Sequence, residues 1–254
     1  MRLFDTHAHF SDDSDIAAIE RRALDAGVVR ILAVGGSDEL NRNALSTSGP
    51  VALGLDRDQM PFGDEDHRNL RRLIADNADR VAAIGETGLD FHYGADTADA
   101  QRELFVRQLA LADELAIPVV VHTREADEAT IETLRAAPWR HGGKLRGVIH
   151  SYTGGPAFAG RLLDLGFCIS FSGIATFRSA DLVRDSARYV PADRILVETD
   201  SPFLAPVPLR GRPCEPAFVV HTARRLAEER DVPFEDFAEQ TFINSCHLFG
   251  VQPC

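Results

Sequence analysis

What most constrains the fold of this chain is a recurrence. A short apolar run, a polar loop and a stretch with helical apolar spacing follow one another eight times. The runs are Arg2–Phe4, Val28–Val34, Val51–Leu53, Val81–Ile84, Pro118–Val121, Arg146–Ile149, Phe167–Ile169 and Ile195–Val197, the third and seventh being the weakest. Helical spacing covers about 14–26, 39–47, 65–78, 98–116, 125–137, 156–165, 179–189 and 215–230, and a ninth helix over about 234–249 closes the chain. Asp99–Leu115 carries the clearest pattern, with Leu104, Leu111 and Leu115 near one face and Arg and Glu opposite. Gly27 and Gly166 stand where a helix must stop before the next strand. Apolar strands alternating with helices imply a parallel sheet covered on both faces. The expected fold class is α/β: a TIM-like (β/α)8 barrel with an extra C-terminal helix, residues 1–254 forming one domain. An open doubly wound sheet is the structural rival.

A chain of 254 residues can bury a large core without disulfides. Its four cysteines, Cys168, Cys214, Cys246 and Cys254, form no Cys-x-x-Cys pair. A zinc ribbon or disulfide framework is not expected, and a cytoplasmic location is. The opening Met-Arg-Leu-Phe-Asp-Thr-His has no apolar signal core, and no window approaches the roughly 18 apolar residues of a membrane helix. The formal charge of −12 argues against a surface that grips nucleic acid through a broad basic field. It does not exclude a metal enzyme acting on phosphate esters, because bound cations reverse the local field.

Residues that ligate metals fall at the ends of the apolar runs. His7 and His9 follow the first, while Glu86 ends the fourth, His122 the fifth, His150 the sixth and Asp200 the eighth. In a barrel these ends meet on one rim, where the catalytic groups of this fold gather. In an extended segment His7 and His9 point to the same face. Glu86 and Asp200 add oxygen donors, and His122 and His150 could hold a second ion with Glu86 placed to bridge. Four histidines and two carboxylates suit Zn, Mn, Ni or Mg in an open site better than a closed structural zinc site. Each residue alone has a plainer reading: His-x-His as a core or surface pair, a single histidine as a hydrogen-bonded rim residue, a carboxylate as a helix cap or ion pair. The coincidence of all six at strand ends is what favours a metal centre. His67, His92, His141, His221 and His247 lack such a placement, His92 being nearest the rim.

The segments Phe-Asp-Thr-His-Ala-His (4–9), Gly-Glu-Thr-Gly-Leu-Asp (85–90), Val-His-Thr-Arg-Glu-Ala (121–126), His-Ser-Tyr-Thr-Gly (150–154) and Glu-Thr-Asp-Ser-Pro-Phe-Leu (198–204) follow in order. With Gln101, Ile117-Pro118 and Thr241–Asn244–Phe249, this ordered set resembles the TatD-like metal-dependent deoxyribonucleases of the amidohydrolase superfamily. The resemblance implies a TIM-like barrel hydrolysing phosphodiester bonds, typically in DNA, with two divalent metal ions. On it, His7 and His9 hold the first metal with Glu86 and Asp200, while His122 and His150 hold the second with Glu86 shared. Two segments depart from the family pattern. Where many relatives read Gly-x-His-Pro, this chain reads Gly54-Leu55-Asp56-Arg57, and Cys214 replaces the asparagine of an Arg-Gly-Lys-x-Asn-x-Pro loop. Both departures bear on substrate choice.

The chemistry that follows is hydrolysis by a metal-activated water, with Asp200 as ligand and base and Glu86 as bridge. Arg124, Arg178 and Arg210 are candidates for phosphate contacts because guanidinium forks match phosphate oxygens, with a surface ion pair as the plainer role of each. Lys144, the only lysine, precedes the sixth strand in a Gly-Gly-Lys stretch. It is poorly placed to become the carbamylated bridge of dihydroorotase-type relatives. Two other readings fit the same residues: a hydrolase of a small ester or amide, and a metal-binding barrel without nuclease activity. None of them calls for an organic cofactor or a membrane partner, and the oligomeric state stays open.

Overall fold

Eight strands are hydrogen-bonded in chain order, every neighbouring pair parallel. They are β1 (Leu3–Ala8), β2 (Val28–Gly36), β3 (Val51–Leu55), β4 (Val81–Asp90), β5 (Val119–Arg124), β6 (Gly147–Ile149), β7 (Phe167–Phe171) and β8 (Ile195–Val197). This computed structural model describes residues 1–59, 61–137 and 146–253. Beyond the regular pairing, β1 meets the segment after β8. Thr6 donates to the Val197 carbonyl at 3.1 Å, Asp200 N–H to the His7 carbonyl at 2.9 Å, and His9 N–H to the Ser201 carbonyl at 2.8 Å. The sheet is thus nearly closed, a TIM-like barrel rather than an open doubly wound sheet.

Ten α-helices, among the described residues, alternate with or follow the strands: α1 (Ile16–Asp25), α2 (Asp38–Leu45), α3 (Asp64–Asp76), α4 (Phe91–Gly94), α5 (Ala98–Leu115), α6 (Asp127–Ala136), α7 (Pro156–Asp164), α8 (Asp181–Tyr189), α9 (Val219–Glu229) and α10 (Phe234–Phe249). Local chemistry sets several boundaries. Asp15 and Ser37 accept from Ala18 N–H and Leu40 N–H at 3.1 Å each, capping α1 and α2. Pro156 opens α7, where its missing N–H costs nothing. Gly27 and Gly166 lie one residue past the C-caps of α1 and α7, both at φ +87°, a conformation that glycine enters without a Cβ penalty. Along α5, Leu104 and Leu111 are buried but Leu115 is exposed, because the helix ends there and Ala116 turns left-handed.

Phe4, Leu32, Val120, Val148, Cys168 and Leu196 pack with Phe242, Cys246 and Phe249 of α10. The C-terminal helix therefore covers the N-terminal end of the barrel and leaves the opposite rim to polar residues. Asn244 of α10 fixes this arrangement by donating to the carbonyls of Ala192 and Ile195 at 2.7 and 2.9 Å. Cys168, Cys214 and Cys246 are buried. Among the described residues no helix is long and apolar enough to cross a membrane.

The strands run further than their apolar runs. β4 was expected to stop at Ile84 but continues through Glu86 to Asp90. Thr87, Gly88, Leu89 and Asp90 pair with Val121 to Arg124 of β5, which itself continues past His122. Hydropathy does not mark this extension, since backbone pairing is indifferent to side-chain polarity. Gly88 makes it possible: at φ +141° a Cβ there would lie 2.0 Å from the His122 carbonyl oxygen. Gly88→Ala is expected to cost at least about 3 kcal/mol of stability through that clash. Guanidinium unfolding measures it, and a loss under about 1 kcal/mol would contradict the close approach. α4 and the short 3-10 turn Ala95–Thr97 also had no signal as separate elements. Asp90 caps α4, its Oδ1 accepting from His92 N–H at 2.9 Å and Tyr93 N–H at 3.0 Å.

Candidate metal centre

The closure of the barrel places the first part of the site. Asp5, buried in β1, accepts from Thr199 N–H at 2.8 Å and from the Thr199 hydroxyl at 2.6 Å. Burial pushes the Asp5 carboxyl up to about 8. These bonds, with the Asp200-to-His7 backbone bond, bring the segment after β8 against the end of β1. Asp200 sits there at φ +59°. Its carboxyl Oδ1 is 4.0 Å from His7 Nε2 and 3.9 Å from His9 Nε2.

Glu86 joins this half to the other. Its Oε2 is 3.4 Å from His7 Nε2 and 3.3 Å from His9 Nε2, while its Oε1 is 3.1 Å from His122 Nδ1 and 3.2 Å from His150 Nε2. Each carboxylate oxygen thus faces one pair of imidazoles. Within the pairs, His7 Nε2 and His9 Nε2 are 3.0 Å apart, as are His122 Nδ1 and His150 Nε2. The His7 and His150 rings stack with centroids 4.0 Å apart. Three overlapping triads (His7/His150/Asp200, His7/His9/Glu86 and Glu86/His122/His150) each bring three donor atoms within 4.8 Å of one another. All six residues expected from the sequence converge on this spot. His7 lies inside β1 rather than after it, and Glu86 and His122 lie inside strands that run on past them rather than at their ends.

The outward nitrogens decide which lone pairs point inward. His9 Nδ1 donates to the Val34 carbonyl at 2.9 Å, which leaves the lone pair of the neutral ring on Nε2. His122 Nε2 is 3.3 Å from Asp90 Oδ2, leaving its Nδ1 lone pair to the site. His150 Nδ1 is 3.4 Å from Glu198 Oε1, ion-pair distance without hydrogen-bond alignment. Lone pairs of neutral imidazoles aimed at one another across 3.0 Å repel unless a proton or a cation lies between them. Nitrogen and carboxylate donors converging in this way fit divalent metal ions.

The electrostatics are those of a charge-dense pocket. Burial alone would raise the Glu86 carboxyl, but His150, His122 and His7 outweigh it and hold it well below its usual range. Burial opposes charging His150, yet Glu86 and Glu198 raise it well above an ordinary histidine. His7 goes the other way, down to about 3, through burial and the neighbouring His150. Burial lifts Asp200 to about 6.

The arginines expected to meet phosphate lie farther out. Arg124 stacks over Tyr93 with its guanidinium carbon 4.7 Å from the ring centroid, and Arg210 over Phe177 at 3.8 Å. Arg178 is exposed in the segment before α8. His92 pairs with Glu125 at 2.6 Å on the surface. His67, His221 and His247 are in none of the triads, and His141 and Lys144 lie outside the described residues. Three charged residues at the site were missed in the sequence. Arg57 donates to Glu86 Oε1 at 2.9 Å, Asp90 backs His122, and Glu198 backs His150. Asp90 shares the period-two parity of Glu86 on β4, a signal that could have found it. Glu198 stands in the same parity with Asp200, and Arg57 carried no such signal.

Comparison with known proteins gives a consistent picture. Residues 4–250 match the family model described as TatD related DNase. The chain is 48% identical over 191 residues to the metal-dependent hydrolase YcfH of Escherichia coli K12, covering 75% of this chain and 69% of that protein. It is 34% identical over 258 residues to the 3'-5' ssDNA/RNA exonuclease TatD of Erwinia amylovora, covering 97% of each. The crystal structure of YjjV, a TatD homologue from Escherichia coli K12, superposes with a TM-score of 0.91 at 28% identity, covering 99% of each chain. A family match over nearly the full length, with relatives at these identities, leads to one conclusion: the chain belongs to the TatD-related DNase family of metal-dependent hydrolases.

Proposed function

We propose that this protein hydrolyses phosphodiester bonds in nucleic acid with two divalent metal ions. His7, His9, Glu86 and Asp200 would hold one ion, and His122, His150 and Glu86 the other. The observation that carries this reading is the Glu86 carboxylate, whose two oxygens each face one histidine pair at 3.1–3.4 Å. When bound, divalent ions at these donors supply Lewis acidity, making water acidic and stabilising charge on a phosphoryl oxygen.

The chain's own groups do the rest. Asp200, lifted by burial to about 6, accepts the proton of the attacking water. Val34 and Asp90 hold the outward nitrogens of His9 and His122, so that these rings keep one orientation through turnover, and Glu198 lies at ion-pair distance from His150. Arg124 and Arg210, laid on aromatic rings, and the exposed Arg178 steer the polyanion at the rim. Their exposure limits each to a small, salt-dependent share. The relative named as a 3'-5' ssDNA/RNA exonuclease supports nucleic acid as the substrate.

The test is a substrate panel on protein stripped with chelator and reloaded with Mn, Mg, Zn or Ni. Single-stranded DNA and RNA oligonucleotides, a small aryl phosphodiester and a small aryl ester cover the readings. Stripped protein is expected to lose hydrolysis at least about a hundredfold, with reloading restoring phosphodiester cleavage. Cleavage of the carboxylic ester alone would overturn the assignment.

A further inference from the structure

We propose that Arg57 is the phosphate-recognising side chain of this centre, its guanidinium gripping an oxyanion of the substrate beside the ligand cluster. The assignment deepens the phosphodiesterase reading and rests on it.

Arg57 is, among the described residues, the arginine that touches the cluster. Its Nη1 donates to Glu86 Oε1 at 2.9 Å and to Asp56 Oδ2 at 2.5 Å, and its Nε is 3.4 Å from Asp90 Oδ2. The side chain is 16% exposed. Among the described residues, its second terminal nitrogen, Nη2, has only the carboxylate of Asp58 at 4.0 Å, beyond hydrogen-bond reach, and the Asp58 side chain is 73% exposed. Nη1 and Nε therefore anchor the guanidinium to Glu86, Asp56 and Asp90, while Nη2 keeps donors without a hydrogen-bond partner among the described residues.

The segment that presents this group is pinned. Asn41 donates to the Gly54 carbonyl at 2.9 Å and accepts from Gly54 N–H at 3.2 Å. Gln108 accepts from Leu55 N–H at 2.8 Å and donates to the Leu55 carbonyl at 2.5 Å, and Asp56 N–H reaches the Gly36 carbonyl at 2.7 Å. Arg57 thus leaves a strand end fixed on both sides. A surface arginine would lose most of its hold on an anion to side-chain entropy and solvent screening, and this one has given up that freedom already.

The charge around it gives such a group a purpose. Asp56, Glu86, Asp90 and Asp200 crowd the rim where a negatively charged substrate must enter. A fixed, permanently charged fork offsets that repulsion and matches tetrahedral oxyanion geometry. Arg124 and Arg210 lie over aromatic rings instead, and neither makes an ion pair with the cluster among the described residues.

The test uses Mn-loaded wild type, Arg57→Gln and Arg57→Lys, with metal content measured on each. Inorganic phosphate binding is read by calorimetry, and KM and kcat on a single-stranded oligonucleotide. At equal metal content, Arg57→Gln is expected to weaken phosphate at least about tenfold and raise KM more than it lowers kcat. Arg57→Lys, which keeps charge but not the fork, should fall between. Unchanged phosphate affinity in Arg57→Gln, with or without a lower Tm, overturns the proposal, as does wild type that binds no phosphate. If Arg57→Gln is too unstable to purify, Arg57→Lys decides, and wild-type phosphate affinity in it overturns the assignment. Phosphate binding that depends on Arg57 in a protein that cleaves no phosphodiester would keep the anion site and overturn the functional reading.

Discussion

Asp200→Asn is expected to lower the rate of metal-dependent hydrolysis by three orders of magnitude or more while the barrel stays folded. The loss follows from two roles of one carboxyl. A positioned general base contributes roughly 10²- to 10⁴-fold, and an amide neither takes a proton nor neutralises a cation. The fold should survive because the structural work of position 200 is done by its backbone. The Asp200 N–H bond to the His7 carbonyl at 2.9 Å is kept in the variant. The φ of +59° there is one that asparagine adopts more readily than most residues. Turnover, metal content and Tm measured on the same preparation decide the matter. Turnover within a few-fold of wild type at full metal loading would remove Asp200 from the chemistry.

Glu86→Gln should do something different: it should loosen metal at both halves of the site. Glu86 alone among the six faces both histidine pairs, one oxygen to each. An amide keeps the shape and loses the charge. Changing groups that merely support ligands typically costs 10- to 100-fold in metal affinity, so loss of a shared ligand is expected to cost more than about a hundredfold at each position. Titration with Mn into stripped protein, followed by calorimetry, reads this directly. Selective loss of one ion, with the other bound as in wild type, would show that Glu86 serves one half only. The contrast between the variants is informative: Asp200→Asn should impair the chemistry far more than overall metal content, and Glu86→Gln both.

The barrel was legible because its strands are continuously apolar and its helices amphipathic, two periods that hydropathy separates. Closure was less so. It rests on β1 and on the segment after β8, tied by Thr6, Asp200 and Ser201 through backbone and hydroxyl bonds that no pattern announces. The six ligand-type residues could be found because each follows or ends an apolar run. What could not be read was how far each strand continues: β4 carries Glu86 and Asp90 within it by virtue of Gly88, whose missing side chain matters only once β5 is beside it. The arginines show the same limit. The guanidinium chemistry makes Arg124, Arg178 and Arg210 candidates, yet the arginine that reaches Glu86 is Arg57, from a segment where this chain departs from the family pattern. Side-chain reach across a barrel mouth is a tertiary property, set here by Asn41 and Gln108 fixing the end of β3.

These six side chains are proposed to form one centre for two ions with Glu86 between them. Anomalous diffraction at the Mn or Zn edge from crystals of metal-loaded protein tests it most directly. Two peaks about 3.5–4 Å apart are expected, one against His7 and His9 and one against His122 and His150, with the Glu86 carboxylate between them. No peak at the cluster under saturating metal, or peaks held by other residues with Glu86 left unbound, would contradict it.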